Sequence, residues 1–211
     1  MLLLAIDTSG KDGSIALARC HADDCRILGL ASLDGGAFSA QLVPQIAALL
    51  KTHDCTKLNI DAFAATSGPG SFTGLRVGLA AIKALAEVLN KPIAAVSLLE
   101  AIAATAHDPA VAAMDAGRKE IYARQQDGSE SLLTQEEFLA SARGQLIRTP
   151  DKSIEDLARN AGLRVEEVPR PRSDTIARFG WRKIQSGKTV SPEALDANYL
   201  RRSDQIFAKI S

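Results

Sequence analysis

The chain has 211 residues, 46% of them apolar and 24% charged, with Lys+Arg 25 balanced against Asp+Glu 25. That composition excludes the low-hydrophobicity, high-charge class of disordered chains, and zero net charge supplies no broad basic face for counterion-driven nucleic-acid binding. The length accommodates one domain or two small lobes.

Met1 to Ile6 is an apolar run that Asp7 interrupts, and no basic leader precedes it. It is too short for a signal-peptide core, and no other stretch approaches the ~18 uninterrupted apolar residues of a membrane span. The expectation is a cytoplasmic protein without a membrane segment. Three cysteines, Cys20, Cys25 and Cys55, then read as reduced thiols and not as a disulfide frame.

Leu2 to Ile6 and Ser14 to Arg19 are strand-type runs around a Gly-containing turn, the pattern of a hairpin. Ser39 to Lys51 spaces Leu42, Ile46, Leu49 and Leu50 as a helix face, with Pro44 either kinking its first turns or marking its start. Asp61 to Thr66 is a short buried strand that runs into the glycine-rich stretch Ser67 to Gly74. From Thr73 to Asn90 apolar residues occupy nearly every face of a helix, so more than one side of it must be covered. Pro92 opens another strand, Ile93 to Val96.

The second part repeats the opening. Ala110 to Met114 followed by Asp115 mirrors Leu2 to Asp7, and Glu120 to Gln125 returns as Ser14 to Arg19 does. Beyond it come a capping box of Thr134 with Glu137, a strand Gln145 to Thr149, a helix from Asp151 to Gly162, a strand Leu163 to Val168, and an amphipathic helix over Thr175 to Gln185. Strand, aspartate, turn and returning strand, used twice, predict a duplicated α/β lobe with a mixed sheet in each copy. The predicted division is 1–106 and 107–191, with 192–211 packing back on the first lobe.

The most specific local feature is Gly68-Pro69-Gly70-Ser71-Phe72-Thr73-Gly74-Leu75-Arg76, between a strand and a helix. Glycines let the backbone approach a ligand closely, and amides at a helix start hold anions. It is not a Walker A loop, because no Lys-Ser/Thr pair follows the last glycine. The alternative is a tight strand-to-helix turn with Ser71 or Thr73 as N-cap. Asp7, Thr8 and Ser9 suit a hydrated Mg²⁺ beside phosphate, or equally an aspartate that stabilises its own turn.

Catalytic patterns are sparse. The three histidines, His21, His53 and His107, do not pair at i and i+4, and Cys20, Cys25 and Cys55 lack a zinc-knuckle spacing. Gly70, Gly74 and Gly78 recur every four residues, giving a flat face with Val77 and Ala81 that either admits another subunit's helix or is covered by the Ser39 to Lys51 helix. From Asp151 to Ser211 there are 12 Lys+Arg against 9 Asp+Glu, a mild excess that usually means a solvated surface.

Leu4-Ala5-Ile6-Asp7-Thr8-Ser9, Gly68 through Gly78, Asp115 through Tyr122, and Tyr199-Leu200-Arg201 together resemble the bacterial TsaB (YeaZ) family of the actin-like ATPase superfamily. The order of these motifs covers nearly the whole chain. Two positions depart from the family: Phe38-Ser39 stands where His-Ser is usual, and Gly117 where the turn usually carries Arg. The resemblance implies two ribonuclease H-like lobes, each a mixed sheet with flanking helices. It implies a non-catalytic scaffold or activator in the synthesis of N6-threonylcarbamoyladenosine at tRNA position 37, with tRNA reached only through the complex. The ligase TsaD is then its partner, the ATPase TsaE joins the pair, and the chain alone forms a homodimer.

The interface residues so implied are Leu42, Gln45 and Leu49 on the first helix and Gly74, Leu75, Val77, Gly78 and Ala81 on the second. Asp7, Thr8, Ser9, Gly68, Gly70, Ser71 and Thr73 form a candidate vestigial nucleotide or anion site. No cofactor or metal is expected to be required, and any nucleotide binding is weak. The alternatives are an ATP-binding phosphotransferase working through Asp7 and the glycine loop, and direct tRNA binding through the C-terminal arginines.

Overall fold

The computed structural model describes residues 1–200. The described chain divides into two compact units, Met1–Ser97 with Pro171–Ala197, and Leu98–Arg170 with residues 198–200. The first unit begins with strands β1 (Leu2–Asp7), β2 (Gly13–His21) and β3 (Asp24–Leu33), followed by helix α1 (Phe38–Thr52), a 3-10 turn at Lys57–Asn59, β4 (Ala62–Gly68), α2 (Phe72–Leu89) and β5 (Ile93–Ser97). The second contains α3 (Leu98–Ala103), β6 (Val111–Gly117), β7 (Glu120–Arg124), β8 (Glu130–Thr134), α4 (Gln135–Ser141), β9 (Leu146–Thr149), α5 (Lys152–Asn160) and β10 (Arg164–Glu167). Helix α6 (Ser173–Gln185) then returns to the first unit.

The two sheets share one topology. The first runs β3-β2-β1-β4-β5 and the second β8-β7-β6-β9-β10, each with three antiparallel strands followed by two parallel ones. The duplicated α/β lobe with a mixed sheet in each copy is therefore present in full.

β1 is buried at every residue, which explains its continuous apolar sequence. Alternation sends Leu4 and Ile6, with Ile15, Leu17 and Phe63, into a core that α1 and α2 close with Leu42, Ile46, Leu49, Leu79 and Ile82. The opposite face presents Ala5, Ala16, Ala18, Ala62, Ala64 and Ala94, all fully buried, and small side chains there let α6 lie close. Gly180 of α6 sits over Ala64, where an added Cβ would collide with the alanine methyl.

That packing corrects the predicted boundaries. The helix expected to end the 107–191 lobe belongs to the first unit, because the alanine-lined face of its sheet has to be covered. The first lobe's continuous part ends at Ser97, not at 106. Of the segment 192–211, residues to Ala197 join the first unit, with Leu195 fully buried in its core, whereas Arg201–Ser211 lie outside the described residues.

The second unit is held by Arg148, which is 1% exposed although charged. Its Nη1 donates to the carbonyls of Ala103 (2.8 Å) and Asp108 (2.8 Å), and its Nε to Glu166 (2.8 Å). The guanidinium fixes the turn between α3 and β6, which has few apolar contacts of its own. Arg148→Ala removes the donor to these carbonyls and leaves a cavity in place of a buried side chain, and a loss on the order of 3 kcal/mol is expected. Urea unfolding followed by far-UV circular dichroism measures it.

Candidate functional site

β1 ends where the chain must turn into β2, and Asp7 makes that turn. Its Oδ1 accepts from the amide of Ser9 (3.0 Å) and from Ser9 Oγ (2.6 Å). Thr8 Oγ1 donates to the carbonyl of Gly74 (2.8 Å), and the Ser71 amide donates to the carbonyl of Ser9 (2.7 Å). Ser71 caps α2 by accepting from the Gly74 amide (3.2 Å), and Asn90 ends the helix in the left-handed conformation at φ 51°. Gly68 and Pro69 are joined by a cis peptide bond.

The candidate site residues Asp7, Thr8, Ser9, Gly68, Gly70, Ser71 and Thr73 are thus gathered in one place. They are gathered against each other. Asp7, Thr8 and Ser9 are buried, and an added Cβ at Gly70 would strike Ser9, as one at Gly74 or Gly78 would strike Thr8. The glycines bring the helix start onto the strand end. The aspartate acts here as a turn-former, accepting from both the amide and the hydroxyl of Ser9.

Phe38 completes the seal. It is 8% exposed, with its ring at 3.0 Å from the position a Gly13 Cβ would take and 3.3 Å from that of Gly74. The departure at this position thus places a ring where a polar side chain is usual in the family. Outside the seal an open groove of about 580 Å³ runs past Lys11, Asp34, Ser39, Thr73 and Val77.

The second unit repeats the turn in open form. Asp115 Oδ1 accepts from the Gly117 amide (2.7 Å), just as Asp7 receives Ser9, but Asp115 is exposed and its own amide donates to Asp151 Oδ2 (2.7 Å). Gly117, at φ 74°, precedes Arg118 and Lys119 at φ 57° and 62°, so three successive residues occupy the left-handed region.

The predicted interface needs a larger correction. Leu42, Leu49, Gly74, Leu75 and Gly78 are buried inside the first unit, and the small face of α2 is filled by Thr8 and not by another helix. Gln45, Val77 and Ala81 are half-buried. Other apolar residues of the two helices are exposed: Val43 (63%) and Ala47 on α1, and Ala80, Ala84 and Val88 (77%) on α2, where Ala84 and Val88 share a helical stripe with Val77 and Ala81. Phe72, at the start of α2, is also exposed, with the Arg76 guanidinium 3.7 Å over its ring.

The described C-terminal arginines are divided between the two units. Arg164 and Arg170 belong to the second unit, Arg172, Arg178 and Arg182 to the first, and Arg172 and Arg178 donate to Ser32 and Asp174. Arg201 and Arg202 lie outside the described residues. His21 ends β2, His53 follows α1 and His107 lies beyond α3, at separate elements.

The family model described as TsaD, tRNA N6-adenosine threonylcarbamoyltransferase, matches residues 35–191. The tRNA threonylcarbamoyladenosine biosynthesis protein TsaB of Escherichia coli is 28% identical, covering 96% of each chain. An uncharacterized Mycobacterium tuberculosis protein is 35% identical over 128 residues, 60% of this chain and 60% of that one, so the match spans about three fifths of the mycobacterial relative. Among solved structures, YeaZ from Pseudomonas aeruginosa superposes with TM-score 0.72 at 24% identity, covering 93% of this chain and 100% of that one. A second Pseudomonas aeruginosa structure, titled as similar to peptidase YeaZ, gives 0.74 at 27%, covering 95% and 99%. The fold is the two-lobed actin-like α/β fold. The chain belongs to the TsaD family and, within it, to the TsaB (YeaZ) proteins.

Two outcomes follow from the sealed turn. Gly74→Arg is expected to abolish folding, because the side chain has no exit past Thr8, and it will be recovered as insoluble protein. Asp7→Ala removes the acceptor of two buried bonds and is expected to cost about 1–3 kcal/mol in urea unfolding.

Proposed function

We propose that this chain is a non-catalytic accessory subunit of the machinery that forms N6-threonylcarbamoyladenosine in tRNA, and that it docks onto the paralogous TsaD subunit through the outer face of α1 and α2. The observation that carries this reading is the exposure of small apolar residues on two mutually packed helices, Val43 and Ala47 on α1 and Ala80, Ala84 and Val88 on α2. Small side chains let a facing helix pair approach closely, and burying an apolar patch drives association. A related subunit with the same lobe offers a matching face, so a second copy of this chain docks there when TsaD is absent.

The non-catalytic role is supported by the sealed loop, where Asp7 and the glycines hold each other. In this reading the chain requires no cofactor of its own. TsaE joins through the assembled pair, and tRNA is bound by the complex.

Light scattering on a sizing column, with this protein alone and mixed with TsaD from the same organism, tests the docking. A homodimer converting to a one-to-one heterodimer is the expected result, and two unshifted peaks overturn it. Val88→Glu is expected to weaken either dimer by about tenfold or more while leaving the circular dichroism melt unchanged, since the carboxylate would be buried unpaired at the contact. Val43→Glu should act alike. Mg-ATP is expected to leave the melting temperature of the isolated chain unmoved; a shift that Asp7→Ala removes would favour the phosphotransferase instead.

A further inference from the structure

The β2–β3 hairpin holds two cysteines in direct register. Cys20 is opposite Cys25, one step inside the closing pair His21 and Asp24, and their Sγ atoms are 2.7 Å apart. The kind of pair matters for what the thiols can do. Cys20 donates its amide to the carbonyl of Met1 (2.9 Å) and accepts the Met1 ammonium at its own carbonyl (2.8 Å). Both backbone groups of Cys20 therefore point away from β3, which makes Cys20–Cys25 a non-hydrogen-bonded antiparallel pair. Such pairs hold their Cα atoms about 4.5 Å apart, inside the 4.4–6.8 Å span that a disulfide bridges.

The hairpin is anchored beneath α6. Trp181 Nε1 (2.8 Å) and Gln185 Nε2 (2.6 Å) both donate to the carbonyl of Ala22 in the turn, a residue at φ 47°. Cys20 is fully buried and Cys25 partly exposed. The hydrogen bond between the two sulfurs pushes the Cys25 thiol below its ordinary range, with the Arg178 charge adding to it, while the same bond and burial push Cys20 up. Cys25 is thus the accessible nucleophile and Cys20 the shielded second thiol.

We propose that Cys20 and Cys25 are an oxidant-responsive dithiol, in which a hydroperoxide oxidises Cys25 and Cys20 resolves it to an intrachain disulfide across the hairpin. In the first step the Cys25 thiolate attacks a peroxide oxygen, the O–O bond breaks, and the released hydroxide takes up a proton as water, leaving Cys25 as a sulfenic acid. In the second, Cys20 Sγ attacks the Cys25 sulfur and the S–O bond breaks. Hydroxide leaves and takes the Cys20 proton as water, so two electrons pass from the thiols to one peroxide. Cys55 lies beyond α1, with its thiol donating to the His53 carbonyl (3.2 Å), and takes no part.

The full-length protein, exposed to equimolar hydrogen peroxide and then alkylated and cleaved with trypsin, gives the test. Cleavage after Arg19 and Arg26 releases residues 20–26, which contain both cysteines. The expected product is this peptide unalkylated and lighter by two hydrogens, restored by dithiothreitol and formed equally in Cys55→Ser. Its formation should be about tenfold faster in the folded chain than in urea, because the fold supplies the register. Cys20→Ser should instead leave Cys25 as a sulfenic acid trapped by dimedone. A peptide alkylated at both cysteines after peroxide treatment, or a disulfide that forms as fast in the unfolded chain, would overturn the proposal.

Discussion

Thr8 rests directly on α2, and that contact requires glycine at 74 and 78. Any Cβ at either position would drive the helix off the end of β1 and open the turn that Asp7 closes. The hydrogen bond from Thr8 Oγ1 to the Gly74 carbonyl and the bond from Ser71 to Ser9 fix the distance between strand and helix. Since α1 packs on α2, the placement of both helices and of their outward faces descends from this one close approach. The residues that the sequence offers as a candidate anion site here position a helix.

The two units show how one plan was put to two uses. Their strand orders coincide, and both first strands end in an aspartate that accepts from the amide two residues on. In the first unit this carboxylate is covered by the glycine loop, with Phe38 plugging the remaining gap. In the second, Asp115 stays exposed beside Asp151, and a bend of three left-handed residues follows. The inner polar row of the first unit is not wholly satisfied, because Thr66 Oγ1 and Ser173 Oγ are buried without a protein partner. Ser173 has its amide on Ser14 Oγ (3.0 Å), and Ser14 is the register partner of Asp7. A buried hydroxyl of this kind is a usual seat for an ordered water.

Most of the fold was legible because its strongest signals are local. The apolar run of β1, the helix period of α2, the Thr134–Glu137 capping box and the end of α2 at Asn90 all follow from neighbouring residues. β3, α3 and β8 were not foreseen. β3 is an edge strand whose residues are mostly half-buried or exposed, so it lacks a clean alternation, and α3 is only six residues long. The site was legible in membership and not in state: the sequence brings Asp7 and the glycine loop together, but whether the space between them is open depends on distances across the chain. The burial of five of the expected interface residues, Leu42, Leu49, Gly74, Leu75 and Gly78, has the same origin. Gly74 and Gly78 mark close approach, and the sequence does not say whether the approaching group is Thr8 of the same lobe or another chain.

The first unit is completed from both ends of the chain. Its sheet is finished by Ser97, yet the cover of one face, α6 with Gly180 and Trp181, and the core residue Leu195 come some eighty residues later. During synthesis the alanine-lined face of β1, β2, β4 and β5 is therefore bare while the entire second unit is made. The later unit, contiguous from Leu98 to Arg170 apart from its final segment, has all its strands before the earlier one has its last helix. Folding order is thus inverted relative to chain order, and a ribosome stalled before Ser173 would present a half-covered sheet to whatever chaperone waits at the exit.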